Sequence, residues 1–569
     1  MNSESTPVTP AGDAPGMQAF PALSHRQIQT VLLGLMLGML VAALSQTIVA
    51  TALPTIVGDL GGQGQLAWVV SATLLASTAS TPIWGKVSDI YGRKPMFQLA
   101  IVVFLIASLF AGFSQNMGQL IAARAFQGIG VGGLMALSQA IIGDVVSPRE
   151  RGRYQGYIGG AFGLATVAGP LIGGYLVDHL SWRWTFWVGI PIGIAALVIT
   201  ERVLNLPFPR RKHAVDWLGA FFIVASVSAL LLEVSLGGKE FEWNSGWTYL
   251  LVTLTVVFLL LAIWQERRAD EPIMPPRMFR NHTFVIVAAA GFVVGVAMFG
   301  SIIFLPQYLQ IVKGETPTAS GLQTLPLMLG LLMASIGSGR AITRTGRYKI
   351  FPLIGLLMLA VGLYLMSLLD ANTSFAVMSL YMIVVGVGVG MTMQVLILAA
   401  QNAADPGDLG VATSGATFFR SLGGAIGVAA LGALLAHELV TSIPARLMEA
   451  GVPIDKITGA AGNLGSPAQI DALPEPIHSA VINGFADALQ VVFRAGVPFA
   501  LLGFVVLLFL RETPLREAMK DEEADGEALA LGLQSAFAPD VELTRGEQVT
   551  VPEADSEPPG PQGGSDPPP

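Results

Sequence analysis

The chain contains no cysteine in 569 residues, and charged residues make up only 12% of it. Without cysteine there is no disulfide framework, no thiolate metal site and no thiol redox chemistry. With so few charges and 53% hydrophobic residues, a water-soluble protein would expose large apolar patches, so the composition excludes that class. We therefore expect an integral membrane protein.

Motifs of enzyme chemistry are also missing. The sequence has no phosphate-binding loop, no zinc-binding motif and no nucleophile elbow, so we expect neither an enzyme nor a self-contained ATP-driven pump. We likewise expect no metal, no other cofactor and no nucleic acid partner.

Acidic residues are concentrated at the end of the chain. From Asp521 onward there are twelve acids against the single base Arg545, about −11 in charge, which leaves about +3 for the rest of a net −8. Few apolar residues and many prolines predict a disordered acidic tail over residues 515–569. Two interpretations stay open, a solvated extension or a partner-binding arm.

Apolar runs long enough to cross a bilayer predict fourteen spans after a short tail over residues 1–28. Basic residues cluster in the loops after spans two, four, six, eight and ten, which predicts that those loops and both termini are cytoplasmic. The segment of about 437–487 is then external. The spans centre near Leu40, Leu75, Leu105, Gly132, Leu164, Ala195, Ser226, Leu259, Val294, Gly330, Leu359, Gly388, Gly427 and Leu501.

A charged loop occurs twice at matching positions. Residues 85–94 (GKVSDIYGRK) follow span two, and a degraded copy at 339–347 (GRAITRTGR) follows span ten. Internal repeats of this kind place a binding site between two halves that alternate in access. We predict halves at 29–208 and 282–514, with spans seven and eight inserted between basic linkers at 209–281.

Further motifs accompany this loop in a fixed order on successive spans. They are 47–54 (TIVATALP), 124–130 (RAFQGIG), 163–174 ending in GPLIGG, 182–184 (WRW) and 420–424 (RSLGG). Together they resemble the major facilitator superfamily, specifically its fourteen-span drug:proton antiporter branch, over roughly residues 30–515. The resemblance implies an all-α membrane protein of two six-helix bundles plus two inserted helices.

The loop at 85–94 has a physical interpretation as a cytoplasmic latch. Gly85 and Gly92 allow close contact and a tight turn, while Asp89 can accept from free amides at a helix N-terminus and pair with Arg93. Alternatively the charges of this loop, which include Lys94, only orient the helices.

The fifth span contains small residues and a proline, a pattern that marks the antiporter helix in the family that the chain resembles. Close helix contacts and a bend are expected there. The alternative is a closely packed, kinked helix of the kind that any transporter needs. The residues concerned are Gly163, Gly169, Pro170, Gly173 and Gly174.

Charges at membrane depth suggest coupling residues. Arg124 lies in the fourth span and Arg420 in the thirteenth, and an intramembrane arginine normally faces a cavity or a partner. The resemblance implies proton transfer for Arg124, and the alternative for both is a hydrogen-bond hub. The family usually has an Asp where this chain has Ser45, so we expect the proton to be carried by an end-of-helix acid such as Asp89 or Asp144, or by the substrate itself.

The family architecture implies a substrate cavity lined by the first, fourth, ninth and twelfth spans. Its candidates are Ser45, Gln46, Gln127, Phe299, Gln307 and Gln394. Apolar sites with a few polar groups suit bulky amphiphiles. We expect a monomeric, proton-driven exporter of lipophilic small molecules in the plasma (inner) membrane; the alternative is a facilitator or a translocator of lipids or envelope components.

The missing acid at Ser45 leads to a prediction about substrate charge. Without a cavity carboxylate, cells that overproduce the protein should tolerate neutral or anionic amphiphiles better than dicationic dyes. Growth inhibition by matched compounds of each charge measures the preference. Stronger resistance to the dicationic dyes would contradict it.

Overall fold

The computed structural model describes residues 25–60, 66–146, 148–204, 215–238, 241–405, 408–451, 470 and 473–515. The chain divides into two units, 1–517 and 518–569, and the described residues belong to the first. The acidic tail from 516, the N-terminal tail to residue 24, part of the linker at 205–214 and most of 452–472 lie outside the described residues.

Seven helices make up the first part of the fold. They are α1 (His25–Leu60), α2 (Leu66–Tyr91), α3 (Arg93–Gly112), α4 (Met117–Val145), α5 (Pro148–His179), α6 (Trp184–Trp187) and α7 (Gly189–Val203). A hairpin of α8 (Trp217–Leu236) and α9 (Gly246–Glu266) follows.

The second part begins after a 3₁₀ turn at Met278–Arg280. Its helices are α10 (His282–Ile311), α11 (Pro317–Gln323), α12 (Leu325–Thr345), α13 (Ile350–Met366), α14 (Phe375–Ala403), α15 (Leu409–Glu449) and α16 (Ile477–Leu508). Each of the fourteen predicted span centres falls in a different one of these helices.

The helices are those of a multi-pass membrane protein. Within the described ranges, twelve helical segments are long and apolar enough to cross a bilayer, with α6–α7 and α11–α12 each counted as one. The helix α13 is apolar but has 17 residues, and α2 is not among the twelve. The number fourteen therefore stays a prediction.

Hydrophobic clusters show how the helices associate. Large buried side chains of α1, α3, α4 and α5, such as Leu35, Phe97 and Leu137, form one cluster, and α10 and α12–α16 form another. A third cluster joins α8 to α2 and α15 through residues such as Val87, Leu231 and Ala425. The hairpin α8–α9 thus packs where the two parts of the fold meet.

The predicted external segment at 437–487 is more helical than the sequence suggested. The helix α15 continues through His437 to Glu449, and α16 already begins at Ile477. The two extensions are joined by an ion pair, with 2.6 Å between Arg446 Nε and Asp487 Oδ2. Mutual packing of these polar helix ends maintains helix beyond the apolar runs.

Close helix crossings lead to a prediction about stability. A Cβ at Gly423 of α15 would meet the backbone carbonyl of Phe292 in α10, whereas a Cβ at Gly337 of α12 would meet nothing within 4 Å. Gly423→Ala should therefore cost about 1–3 kcal/mol because the backbones must move apart. Thermal unfolding in detergent checks this, with Gly337→Ala as the matched control; equal midpoints would contradict it.

Candidate functional site

A cluster of charged residues joins the two parts of the fold at the end that carries the basic loops, here called the basic end. Asp89 Oδ1 lies 2.5 Å from Arg93 Nη2, and Asp89 Oδ2 accepts a hydrogen bond of 3.1 Å from the amide of Val411. Arg93 Nε in turn lies 2.6 Å from Asp144 Oδ2. Val411 is the third residue of α15, so its amide is one of the free donors at a helix N-terminus.

The glycines of the same loop permit this approach. Gly92 has φ of 100° and separates α2 from α3, a conformation that other residues rarely adopt. A Cβ at Gly85 would collide with Ser414 of α15, and one at Gly410 would collide with Asp89 and Arg93. Asp89 and Arg93 thus lie against the start of α15, and Lys94 lies outside these contacts, with its Nζ 3.4 Å from Glu201 Oε1.

The linker after α9 adds contacts that the sequence did not indicate. Lys86, which is buried, pairs with Glu271 of this linker. Arg277 Nη2 lies 2.8 Å from Asp408 Oδ1, just before α15, and Asn281 donates a 2.8 Å bond to the carbonyl of Ala403. The linker therefore contacts α2 on one side and the α14–α15 connection on the other.

The small residues of α5 contact helices from both parts of the fold. Gly169 and Gly173 lie against Thr47 and Thr51 of α1, so close that a Cβ would collide with either hydroxyl. On the other side, a Cβ at Gly163 would lie 3.5 Å from Met328 of α12, and one at Gly174 would lie 2.8 Å from Thr318 of α11. Pro170 itself lies beside Gly321, so the motif sits at the junction between the two parts.

Arg124 is only 1% exposed and is engaged within the first part. Its Nε donates a 3.0 Å bond to the carbonyl of Val69, and its Nη1 donates a 2.5 Å bond to Gln127 Oε1. Nη1 also lies 3.5 Å from the carbonyl of Ser45. Among the described residues no carboxylate pairs with it, so in this conformation its contacts are those of a hydrogen-bond hub.

Arg420 differs from Arg124. It is 9% exposed, its Cβ lies opposite Gly291 of α10, and no residue in the described ranges offers its guanidinium a hydrogen bond or an opposite charge. A buried, unpaired guanidinium at membrane depth is costly.

The predicted cavity residues have different surroundings. Ser45 bonds back to Ala42 of its own helix, and the amide of Gln127 is held between Arg124 and Ser108. Gln46 and Gln307 are half-buried, and the ring of Phe299 packs on Gly424. Gln394 is buried and faces α4, where its Oε1 accepts a 3.3 Å bond from Gln139.

Two acids that the sequence did not single out lie within helices. Asp59 near the end of α1 accepts a 2.8 Å bond from the indole of Trp182, which explains the first tryptophan of the WRW motif. Glu233 in α8 is 4% exposed, and neither carboxylate oxygen has a partner in the described part of the chain. Glu233 lies in the hairpin α8–α9, which the sequence predicts to be inserted between the two halves.

Comparison with known proteins identifies the family. The Major Facilitator Superfamily profile matches residues 35–428. The chain belongs to this superfamily. An uncharacterized MFS-type transporter of Mycobacterium tuberculosis is 40% identical to this transporter over 520 residues, 91% of this chain and 74% of that protein. The multidrug transporter protein MdtP of Bacillus subtilis is 35% identical, and the alignment covers 88% of this chain and 96% of that protein.

Solved structures agree with the fold of the transporter. The proton:xylose symporter XylE aligns with a TM-score of 0.58 at 14% identity, over 88% of this chain and all of that one. The human organic anion transporter MFSD10 aligns with a TM-score of 0.54 at 17% sequence identity, and the alignment covers 85% of this chain and 100% of that one. The protein is a membrane transporter of the major facilitator fold and not an enzyme.

The Asp89 cluster leads to a prediction about closure. Asp89→Asn keeps a neutral acceptor for the Val411 amide but removes the negative charge at the N-terminus of α15, so the contact between α2 and α15 should weaken and the basic end should open more readily. With Ser338→Cys as a buried reporter in an otherwise cysteine-free chain, labelling by a hydrophilic maleimide should quicken by about tenfold or more, equivalent to about 1.4 kcal/mol.

The matched control for this prediction is the neighbouring, exposed ion pair. Glu201, 64% exposed, lies beside Lys94, and Glu201→Gln should leave labelling unchanged because exposed pairs contribute little. Equal labelling of Asp89→Asn and the parent protein would show that Asp89 does not hold this end closed.

Proposed function

We propose that this protein exports lipophilic or amphiphilic small molecules, driven by the proton gradient. The observation that carries the proposal is the similarity, along most of the chain, to relatives named as multidrug transporter and multidrug resistance proteins. Multidrug resistance protein 3 of Bacillus subtilis is 34% identical over 84% of this chain and 94% of its own length, in addition to MdtP. Transport of many lipophilic compounds by one site fits an apolar cavity with few polar groups.

Alternating access is supported by the contacts at the basic end. Asp89 with Val411, and Gly152 of α5 with Gly339 of α12, join the two parts of the fold. For a substrate to enter from this side these contacts must separate. We place this end in the cytoplasm, with both termini, because basic loops stay on the cytoplasmic side, and the protein as a monomer in the plasma (inner) membrane.

Coupling to protons is assigned to acids at the ends of helices. The first span has Ser45 where an acid is usual in the family, and Asp89 and Asp144 share the guanidinium of Arg93. Burial between the two parts raises the pKa of Asp89, against the lowering effect of Arg93, so when the parts separate and water reaches the carboxylate, its pKa falls and the proton is released. We assign Arg124 and Arg420 positioning roles in the transport path.

A second function is favoured by one observation. Residue 45 is a serine and not an acid. This favours a facilitator, or a translocator of lipids or envelope components, that does not couple transport through an intramembrane carboxylate. The two functions differ in whether a proton gradient drives accumulation.

Proteoliposomes with an imposed pH gradient distinguish these functions. Radiolabelled chloramphenicol (neutral), cholate (anionic) and tetraphenylphosphonium (cationic) serve as probes. An exporter should accumulate at least one probe against its gradient, and nigericin, which collapses the pH gradient, should abolish accumulation. Equilibration unaffected by nigericin would support the facilitator, and no movement of any probe would contradict export of amphiphiles.

A further inference from the structure

Several buried amide side chains without partners lie between the two parts of the fold. Gln155 of α5 is 1% exposed, and neither its amide nitrogen nor its amide oxygen has a hydrogen-bond partner in the described residues. The same holds for the hydroxyl of Ser335 in α12, 2% exposed, and for Nε2 of Gln394 in α14, 4% exposed. Native proteins rarely leave buried polar groups unpaired, so each such group calls for an explanation.

These three side chains line one small cavity. In this conformation it has no room for a water molecule, and it is bounded by Gly152 and Gln155 on one side and by Ser335, Ser338 and Gly339 on the other, with Gln394 adjoining. Gly159 of α5 lets Ser335 of α12 approach closely, since a Cβ at Gly159 would lie only 2.7 Å from the Ser335 hydroxyl. The cavity lies where α5 of the first part meets α12 and α14 of the second.

The cavity offers hydrogen bonds and no charge. All of its lining residues are neutral, and the nearby buried Arg151 is engaged by the carbonyls of Val146 and Gly143. Gln155 presents a donor and an acceptor, Gln394 a donor, and Ser335 a hydroxyl that serves as either. The lining therefore offers no carboxylate to bind a cation and no guanidinium to bind an anion.

We propose that Gln155, Ser335 and Gln394 form a binding site for neutral hydrogen-bonding groups of the transported molecule, such as a carboxamide or a hydroxyl. The proposal rests on the exporter function, and it names the substrate class: neutral amphiphiles that carry both donors and acceptors. The site becomes reachable from the basic end when α5 and α12 separate. A matching ligand is favoured because it pairs amides that otherwise stay unpaired.

Binding by the purified, full-length protein tests the site. Gln155→Leu, which removes both unpaired amide atoms, should weaken binding of radiolabelled chloramphenicol by about tenfold or more and leave tetraphenylphosphonium binding unchanged. Gln98→Leu, on a residue of α3 whose amide donates to the exposed Glu201, is the matched control and should leave both affinities unchanged.

Thermal unfolding separates a ligand-binding role from a structural one. Gln155→Leu breaks no hydrogen bond within the described structure and should not lower the unfolding temperature, whereas Gln127→Leu breaks the bonds to Arg124 and Ser108 and should lower it. A lower unfolding temperature for Gln155→Leu, with equal loss of both probes, would overturn the proposal.

The remaining outcomes keep the site and the exporter function apart. Unchanged chloramphenicol affinity in Gln155→Leu, or a wild-type protein that does not bind chloramphenicol, overturns the site even if gradient-driven export of another probe is intact. Selective loss of chloramphenicol binding supports the site even if the proteoliposomes show no gradient-driven accumulation, a result that would count against the exporter function alone.

Discussion

The structure depends on one constraint, which is that hydrocarbon offers no hydrogen bonds to polar groups placed within it. Arg124 meets this constraint inside the first part of the fold, where Val69 and Gln127 accept from it. Asp89 finds a hydrogen-bond partner across the two parts, because its carboxylate accepts from the amide of Val411 in α15. The first arrangement lies within one part of the fold, and the second needs the contact between α2 and α15.

Glycine determines which helices meet closely enough to form these contacts. A Cβ at Gly85 would displace Ser414, and a Cβ at Gly169 or Gly173 would displace α1. Small residues at helix contacts are common in membrane proteins because packing and not water exclusion drives association there. In this chain they occur on both sides of α5, so one helix serves as the contact for its own bundle and for the opposite one.

The inserted hairpin has a larger part in the structure than its place in the sequence suggests. The sequence predicts that these two spans are simply inserted between the two halves, but in the structure α8 packs on both α2 and α15. The linker after it contacts Lys86 on one side and Asp408 on the other. Separation of α2 from α15 therefore involves the hairpin as well as the two bundles.

The sequence by itself determined the class of protein, the position of every described long helix and the local pair Asp89–Arg93, because apolar length and an i, i+4 spacing are properties of contiguous residues. Only the tertiary structure decided that the amide of Gln127 lies between Arg124 and Ser108, that Lys86 pairs with Glu271, and that Gln155 has no hydrogen-bond partner among the described residues. Those outcomes depend on which faces of distant helices meet. In a chain that is apolar on nearly all sides of its helices, the periodicity of the sequence does not indicate those faces, and close packing at glycines selects them.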